Sequence, residues 1–308
     1  VAPTNVISWE EAVRWYRRQP GNGSAVRDNY FDLPVLPAAE RFSRSEEFRE
    51  MLRILGPGRG RRVLDLGAGH GVTSYAMAKQ GWRVTALEPD PSAEVGWGAV
   101  EAWRQETNLP VEIIKNPAHP FPLEDGSMDA VIARQVLHHV PDLTACLRDV
   151  ARVLKPGGIV LTTRDHVADN ARQLEQFLAG HPLQALYGGE NAHPLKTYLG
   201  AFCAAGLELC EVWGPLESIL NFFPGSEAER RRHLAERIRA GSGSPAVKML
   251  ASFSFLQRRE ARRTARVDRS PGRIYSILAR KPRVAAGAFR AGSFEHWLPL
   301  KNKKASAK

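Results

Sequence analysis

The stretch of this sequence best suited to chemistry is Val63-Leu64-Asp65-Leu66-Gly67-Ala68-Gly69-His70-Gly71. Glycines at 67 and 69 let the backbone turn sharply after a short apolar run and come close to a ligand. A helix that follows such a turn aims its first N–H groups into the same crevice. Glu88 stands 21 residues after Gly67, at the end of a second apolar run. A carboxylate placed there can accept both hydroxyls of a ribose. The spacing therefore predicts a nucleoside-binding crevice outside the carboxyl ends of two neighbouring strands.

Spacing also narrows the nucleoside. A nicotinamide dinucleotide fingerprint needs a third glycine where this chain has Val72. Asp65, two residues before the first glycine, is poorly placed beside a pyrophosphate and well suited to an ammonium group. No Gly-x-x-x-x-Gly-Lys-Ser/Thr loop is present. These choices favour a ligand with ribose, adenine and a cationic amino-acid end.

The elements needed to position these residues can be read from the hydrophobic pattern. Residues 63–66, 83–87, 111–114, 128–133 and 159–163 read as buried strands, and 207–213 and 273–279 as two more. Helices are expected at 72–79, 92–105 and 198–205, and after Asp142, a capping residue for an inner face of Leu143, Cys146, Leu147, Val150 and Leu154. Short apolar strands alternating with helices predict an α/β fold, a doubly wound and mostly parallel sheet covered on both faces. Ahead of the core, Ser8 and Glu11 have capping-box spacing, and Phe48, Met51, Leu52 and Leu55 mark another helix. The expected organisation is a helical cap over 1–58, a cofactor-binding core over 59–215, a helical insertion over 216–270, the last core strand within 271–283 and a basic tail over 284–308. Within the insertion one helix is centred on Leu234 and Ile238, and a longer one spans 247–266; cap and insertion are expected to roof a pocket.

Four stretches in order, VLDLGAGHG, VTALEPD, FPLEDGSMDAVIARQVLHHV and LKPGGIVLTT, carry a resemblance. Residues 61–165 resemble the core of the class I S-adenosylmethionine-dependent methyltransferases, in the small-molecule branch often called methyltransferase type 11. The resemblance implies a Rossmann-like, seven-stranded sheet whose final antiparallel strand is 273–279, and S-adenosyl-L-methionine as the cofactor. It implies that Asp65, Gly67, Ala68 and Gly69 surround the methionine part and that Glu88, with Pro89, holds the ribose. Arg134 and Tyr30 complete the cofactor-facing set. Where the family often has an acidic residue after strand three to meet adenine, this chain departs with Asn116-Pro117, and Asn116 or a backbone carbonyl takes that place.

Such an enzyme mainly has to align a nucleophile with the methyl group, exclude water and remove a proton. Candidate bases are His138 and His139 after strand four and Asp165 and His166 after strand five, since histidine titrates near neutrality. A histidine in an LHHV-type stretch also serves in the family as a packing or helix-start residue. Glu190, Asn191 and His193, in LYGGENAHPL, together with Arg164, are expected substrate contacts. The aromatic pair Tyr30 and Phe31 can face the sulfonium or pack the cap onto the sheet.

Length and composition set the remaining bounds. The chain has 308 residues, 43% hydrophobic and 25% charged, which excludes a wholly disordered chain. No window reaches the roughly 18 apolar residues of a membrane-spanning helix. The first residues lack a basic segment followed by an apolar one, and Cys146, Cys203 and Cys210 have neither disulfide-framework nor metal-ligand spacing. A cytoplasmic enzyme is the expectation, with no metal ligands assigned because no clustered ligand motif favours a metal. The net charge of +10 is concentrated: from Arg258 onward 15 basic residues face 3 acidic ones, and the rest carries 28 against 30.

The acceptor expected from the near-neutral body is a small molecule, such as a secondary metabolite, a lipid-linked intermediate or a sugar. A nucleic acid or protein acceptor is the alternative, motivated by Arg258, Arg259, Arg262, Arg263 and Arg266. The run Ala133-Arg134-Gln135-Val136 lacks the Asn-Pro-Pro-Phe/Tyr type of amino-methylating nucleic-acid enzymes. The basic tail, with Phe294, Trp297 and Leu298, could contact an anionic membrane surface. A non-catalytic binding module is disfavoured by the intact Asp65, Gly67, Gly69 and Glu88.

Overall fold

The computed structural model describes residues 6–115, 120–283 and 297–298. Its centre is one seven-stranded sheet built from β1 (Arg62–Leu66), β2 (Arg83–Leu87), β3 (Val111–Ile114), β4 (Met128–Arg134), β5 (Leu154–Val167), β6 (Glu208–Trp213) and β7 (Arg273–Arg280), in the order β3-β2-β1-β4-β5-β7-β6. The first five strands are parallel, and β7 runs antiparallel to both β5 and β6. The order reverses at β1, between β2 and β4, so the crevice at the carboxyl ends of these strands is where a ligand is expected in such a sheet.

The strands are apolar on both faces because both faces are covered. Along β1 and β4, Leu64, Leu66, Val131 and Ala133 enter one core with α7 (Leu143–Val153) and α10 (Leu195–Ala204). The alternate residues Val63, Ala130 and Ile132 enter a second core with α3 (Val35–Ser43), α4 (Glu46–Leu55) and α5 (Val72–Lys79). The period of two along a strand thus divides one apolar run between two cores.

Three elements depart from the sequence expectation. The run before the core also holds α2 (Gly23–Asp28) and α3, which the hydrophobic pattern did not mark; Pro34 stands at the N-cap of α3, where a missing N–H costs nothing. The helix after β2 is α6 (Trp97–Thr107), because residues 89–96 form a turn closed by the Trp97 N–H donating to the Asp90 carbonyl at 2.8 Å. The long helix of the insertion is broken. After α11 (Glu227–Gly241) come α12 (Pro245–Met249), a single 3-10 turn at Leu250–Ser252 and α13 (Ser254–Val267). Phe253 is extended there, and the Gln257 amide donates to the Ala251 and Arg231 carbonyls, so the break leaves no buried carbonyl without a donor at that point.

At the amino-terminal side, α1 (Trp9–Arg18) begins with a complete capping box: the Ser8 hydroxyl accepts from the Glu11 N–H at 3.2 Å and the Ser8 N–H donates to the Glu11 carboxylate at 2.9 Å. Arg14, at 2.7 Å, and Arg17 both pair with Glu94, fastening α1 over the turn that follows β2. Trp297 and Leu298 pack back against the first core, while Phe294 and the rest of the basic tail lie outside the described residues. No helix among the described residues is long and apolar enough to cross a membrane.

Candidate active site

The turn after β1 is glycine by necessity at two positions. Gly67 has φ 64°, and a Cβ there would stand 2.6 Å from a Val136 methyl; Gly71 has φ 80°, and its Cβ would meet Val100 at 2.8 Å and Trp103 at 2.9 Å. The loop they define is tied to the neighbouring strand tip. The Gly69 N–H donates to one Glu88 carboxylate oxygen at 2.6 Å and the Asp90 N–H to the other at 2.9 Å. Asp65, one residue before the end of β1, accepts from the Ser74 hydroxyl of α5 at 2.6 Å.

Both carboxylates are withdrawn from water. Burial pushes Asp65 up to about 7, the Ser74 hydrogen bond opposing and the Glu88 charge adding to the shift. Burial also raises Glu88, against the two N–H donors that favour its charged form. An ionised carboxylate in such a setting gains from a cationic or hydroxyl-bearing ligand what it lost in hydration.

Asp65, Gly67, Ala68, Gly69, Glu88, Pro89 and Arg134 all line one cavity of about 620 Å³, within the range of small-molecule sites. Its opposite end is lined by His138, His139, His166, His181 and Glu190. The roof is made by α1 and the segment around α9 (Gln184–Tyr187): Trp9 packs at a tilt against Tyr187, 4.6 Å between centroids, and meets Phe31 edge-on at 5.8 Å. The Ile7 N–H donates to the Leu186 carbonyl at 3.0 Å, closing the two sides. The expectation that the insertion shares in this roof is corrected, since no residue of α11, α12 or α13 lines the cavity, the basic residues Arg258 to Arg266 included.

The histidine end is ordered by its own hydrogen bonds. His138, at the tip of β4, sends Nδ1 to an Asp165 carboxylate oxygen at 3.1 Å, and its backbone N–H donates to the same oxygen at 3.2 Å. His139 Nδ1 donates to the Gly189 carbonyl at 2.9 Å, and His166 Nδ1 to the Gly272 carbonyl at 2.8 Å. The three rings are in contact, with His138 at 4.1 Å from His139 and 4.9 Å from His166 between centroids. Burial holds His138 well below the ordinary histidine value, and lowers His166 as well, so both are neutral imidazoles at pH 7. Burial raises Asp165 to about 7, against the N–H donors of His138 and Leu137. Glu190 is held below the usual carboxylate range despite its burial, by His139, His181 and the Tyr187 hydroxyl.

Several expected contacts lie elsewhere. Tyr30 does not line the cavity; its buried ring packs between Phe42 (5.3 Å) and Phe223 (5.6 Å), and it is Phe31, one residue on, that reaches the cavity. Arg164 is not a cavity residue either. It has φ 63°, lies 3.5 Å from Glu47 and stacks on Phe223 at 4.4 Å, buried on the far side of β5. The Asn191 side chain accepts from the Ala192 N–H, and His193 pairs with Val167 as a β-bridge with its ring against Tyr198; neither lines the cavity. Asp165 reaches the site only through His138. Asn116 lies outside the described residues. Spacing did not flag Trp9, His181 and Tyr187, which come from elements distant in sequence and meet around the cavity, nor His70, which sits within the glycine turn itself.

A doubly wound α/β sheet with two carboxylates and a glycine turn at its reversal point has the layout of a nucleotide-binding α/β fold, with its crevice at the carboxyl ends of the strands. Residues 64–162 match the family described as "Methyltransferase domain", and this core is a methyltransferase domain. The chain is 34% identical over 140 residues to an uncharacterized methyltransferase of Mycobacterium bovis, covering 44% of this chain and 54% of that one. It is 39% identical over 100 residues to a ubiquinone biosynthesis O-methyltransferase of Xanthomonas oryzae pv. oryzae, covering 32% of this chain and 41% of that one. The chain thus spans about half the length, or less, of these curated relatives. The structure of geranyl diphosphate C-methyltransferase from Streptomyces coelicolor, in complex with Mg2+, geranyl diphosphate and S-adenosyl-L-homocysteine, superposes with a TM-score of 0.52 at 15% identity, over 90% of this chain and 89% of that one. That likeness is one of fold.

The crevice fits the cofactor of that family. A side chain at Gly69 would find nothing closer than the Val95 carbonyl at 3.6 Å, so the loop leaves open space beside its backbone. Around that space stand one buried carboxylate suited to a ribose and another suited to an ammonium group.

Proposed function

We propose that this chain transfers a methyl group from S-adenosyl-L-methionine to a small-molecule acceptor held at the histidine end of the cavity. The observation that carries the reading is continuity: one roofed cavity runs from the glycine turn and Glu88 to His139 and His166. Bound at the first end, the cofactor supplies a methyl group on a sulfonium, which needs no further activation.

The chain's own groups then have three tasks. Glu88 accepts from the ribose hydroxyls while Gly69 and Asp90 keep its oxygens in place, and Asp65 pairs with the ammonium. The roof of Trp9, Phe31 and Tyr187 excludes water and presses donor and acceptor together. The proton leaving the acceptor passes to a histidine. In His139 and His166 a carbonyl occupies Nδ1 and can only accept, so each Nδ1 carries a proton and each Nε2 keeps a lone pair. His138 and Asp165 position that pair rather than touch the acceptor, their mutual hydrogen bond fixing the ring against which His139 and His166 pack.

The acceptor class supported by the enclosed, roofed shape of the site is a metabolite, lipid-linked intermediate or sugar. The test combines label transfer with calorimetry. Labelled S-adenosylmethionine incubated with a small-molecule extract should mark a product with the wild-type chain and none with Asp65→Ala. Failure of the wild-type chain to bind S-adenosylhomocysteine in calorimetry would remove the reading.

A further inference from the structure

Three imidazoles at the acceptor end share one orientation. His139 and His166 each engage Nδ1 with a carbonyl oxygen, which can only accept and so leaves Nε2 with the free lone pair, and His138 Nδ1 lies 3.1 Å from an Asp165 carboxylate oxygen. Metal-binding histidines are commonly held in this way, with a carboxylate or carbonyl fixing the tautomer and orienting the ring.

A carboxylate faces them. Glu190 has one oxygen 3.8 Å from His138 Nε2 and the other 3.7 Å from His181 Nε2. The Glu190–His138 contact is too long for a hydrogen bond, so the two groups face each other in a buried site with space for a cation between them. One ligand atom from each of His138, His139 and Glu190 lies within 4.8 Å of the other two. Bonds of about 2.0–2.2 Å to a tetrahedral ion would separate ligand atoms by roughly 3.3 Å, so side-chain adjustments of about an ångström close the site.

We propose that His138, His139 and Glu190 bind a divalent first-row transition cation of the Zn2+ or Co2+ type at the acceptor end of the cavity. Two imidazoles and one carboxylate suit such an ion and do not suit Mg2+ or Ca2+, which take oxygen ligands. Asp165 orients His138 from behind, and Tyr187 does the same for Glu190 through its hydroxyl. Three protein ligands beside an open cavity leave a coordination position for a substrate, the arrangement of a catalytic rather than a structural site.

The inference rests on the methyltransferase reading of the same cavity and sharpens it toward an alcohol or phenol acceptor. A hydroxyl that ligates the ion loses its proton more readily. The O–H bond breaks with its proton passing to His166 Nε2, which the metal leaves free, and an oxygen lone pair forms the new bond to the methyl carbon. The carbon–sulfur bond breaks as that bond forms, and its electron pair stays on sulfur.

The test uses the full chain, stripped with a chelator, dialysed, and titrated with Zn2+ by calorimetry and with Co2+ by visible absorbance. One equivalent of Zn2+ should bind per chain, with intense visible Co2+ bands, and His139→Ala and Glu190→Gln should each weaken binding by at least about tenfold. His139 is exposed, so its replacement leaves the core intact. Absence of binding, or binding indifferent to both variants, would overturn the proposal. S-adenosylhomocysteine titrated into the same preparations separates the two readings. If it binds and Zn2+ does not, the metal site fails and the methyltransferase reading stands; if it does not bind, the methyltransferase reading fails and takes the acceptor assignment with it.

Discussion

Glu47 and Arg134 form a two-pronged ion pair, 2.7 and 3.2 Å between their atoms, with only 1% of the glutamate side chain exposed. It joins α4 of the cap to the tip of β4, and a second guanidinium, that of Arg164, lies 3.5 Å from the same carboxylate. Burial and the Arg134 charge leave Arg164 depressed to about 10, a sign that one carboxylate serves two cations. Glu47→Gln strands both and should cost about 3–5 kcal/mol of stability, read from urea unfolding. A loss under about 1 kcal/mol would mean that water reaches the pair.

Replacing Glu88 tests the sugar end of the crevice. Glu88→Ala removes the proposed ribose acceptor and frees the Gly69 and Asp90 N–H groups together. Two charge-assisted hydrogen bonds at about 1.5–3 kcal/mol each predict a fall in S-adenosylhomocysteine affinity of about a hundredfold or more. Calorimetry showing a change under about threefold would place the ribose elsewhere.

Asp65 gives the site a pH dependence with a definite sign. Its folded value near 7 lies above its unfolded value of 3.8, chiefly through burial, so the folded chain holds a proton that the unfolded chain has lost. Stability from this group is greatest at the acid end, falls as pH rises from about 4 to about 7, and is level above that. Ligand binding runs the other way, because an ammonium pairs with the ionised form. S-adenosylhomocysteine should bind more tightly at about pH 8 than at about pH 6, and Asp65→Asn should flatten both trends in calorimetry and thermal unfolding.

The roof is a set of aromatic contacts from three separate segments, and Trp9 touches the other two. Trp9→Ala removes the contact with Tyr187 and opens the cavity beside α1, at a cost below the roughly 3–5 kcal/mol of a fully buried ring because Trp9 is half-buried. Amide hydrogen exchange should quicken across residues 181–190 and α1 while β1 and β4 keep their protection. Unchanged exchange at 181–190 would show that this segment is held by its own contacts.

The fold and the cofactor end were legible in the sequence because both depend on local pattern. A strand buried on both faces must be an apolar run, a sharp turn against Val136 and Trp103 must be glycine at Gly67 and Gly71, and a carboxylate at a strand tip keeps a fixed distance along one βαβ unit. Spacing likewise revealed the capping box of α1, while the antiparallel direction of the last strand came from the family resemblance. Tertiary packing alone decided the rest. Glu190 stands 51 residues from His139 with no spacing rule that links the two, and only the return of the chain after α9 brings its carboxylate to the histidines. Arg164 adjoins Asp165 in sequence, yet the two side chains leave opposite faces of β5, one to Glu47 and the other to His138. Tyr30 and Phe31 differ in the same way, one ring entering the core and its neighbour the cavity. Sequence order determines which residues are available to a face, whereas the side a charge or ring occupies is settled by the partners that other elements deliver, and those partners carry no local signal.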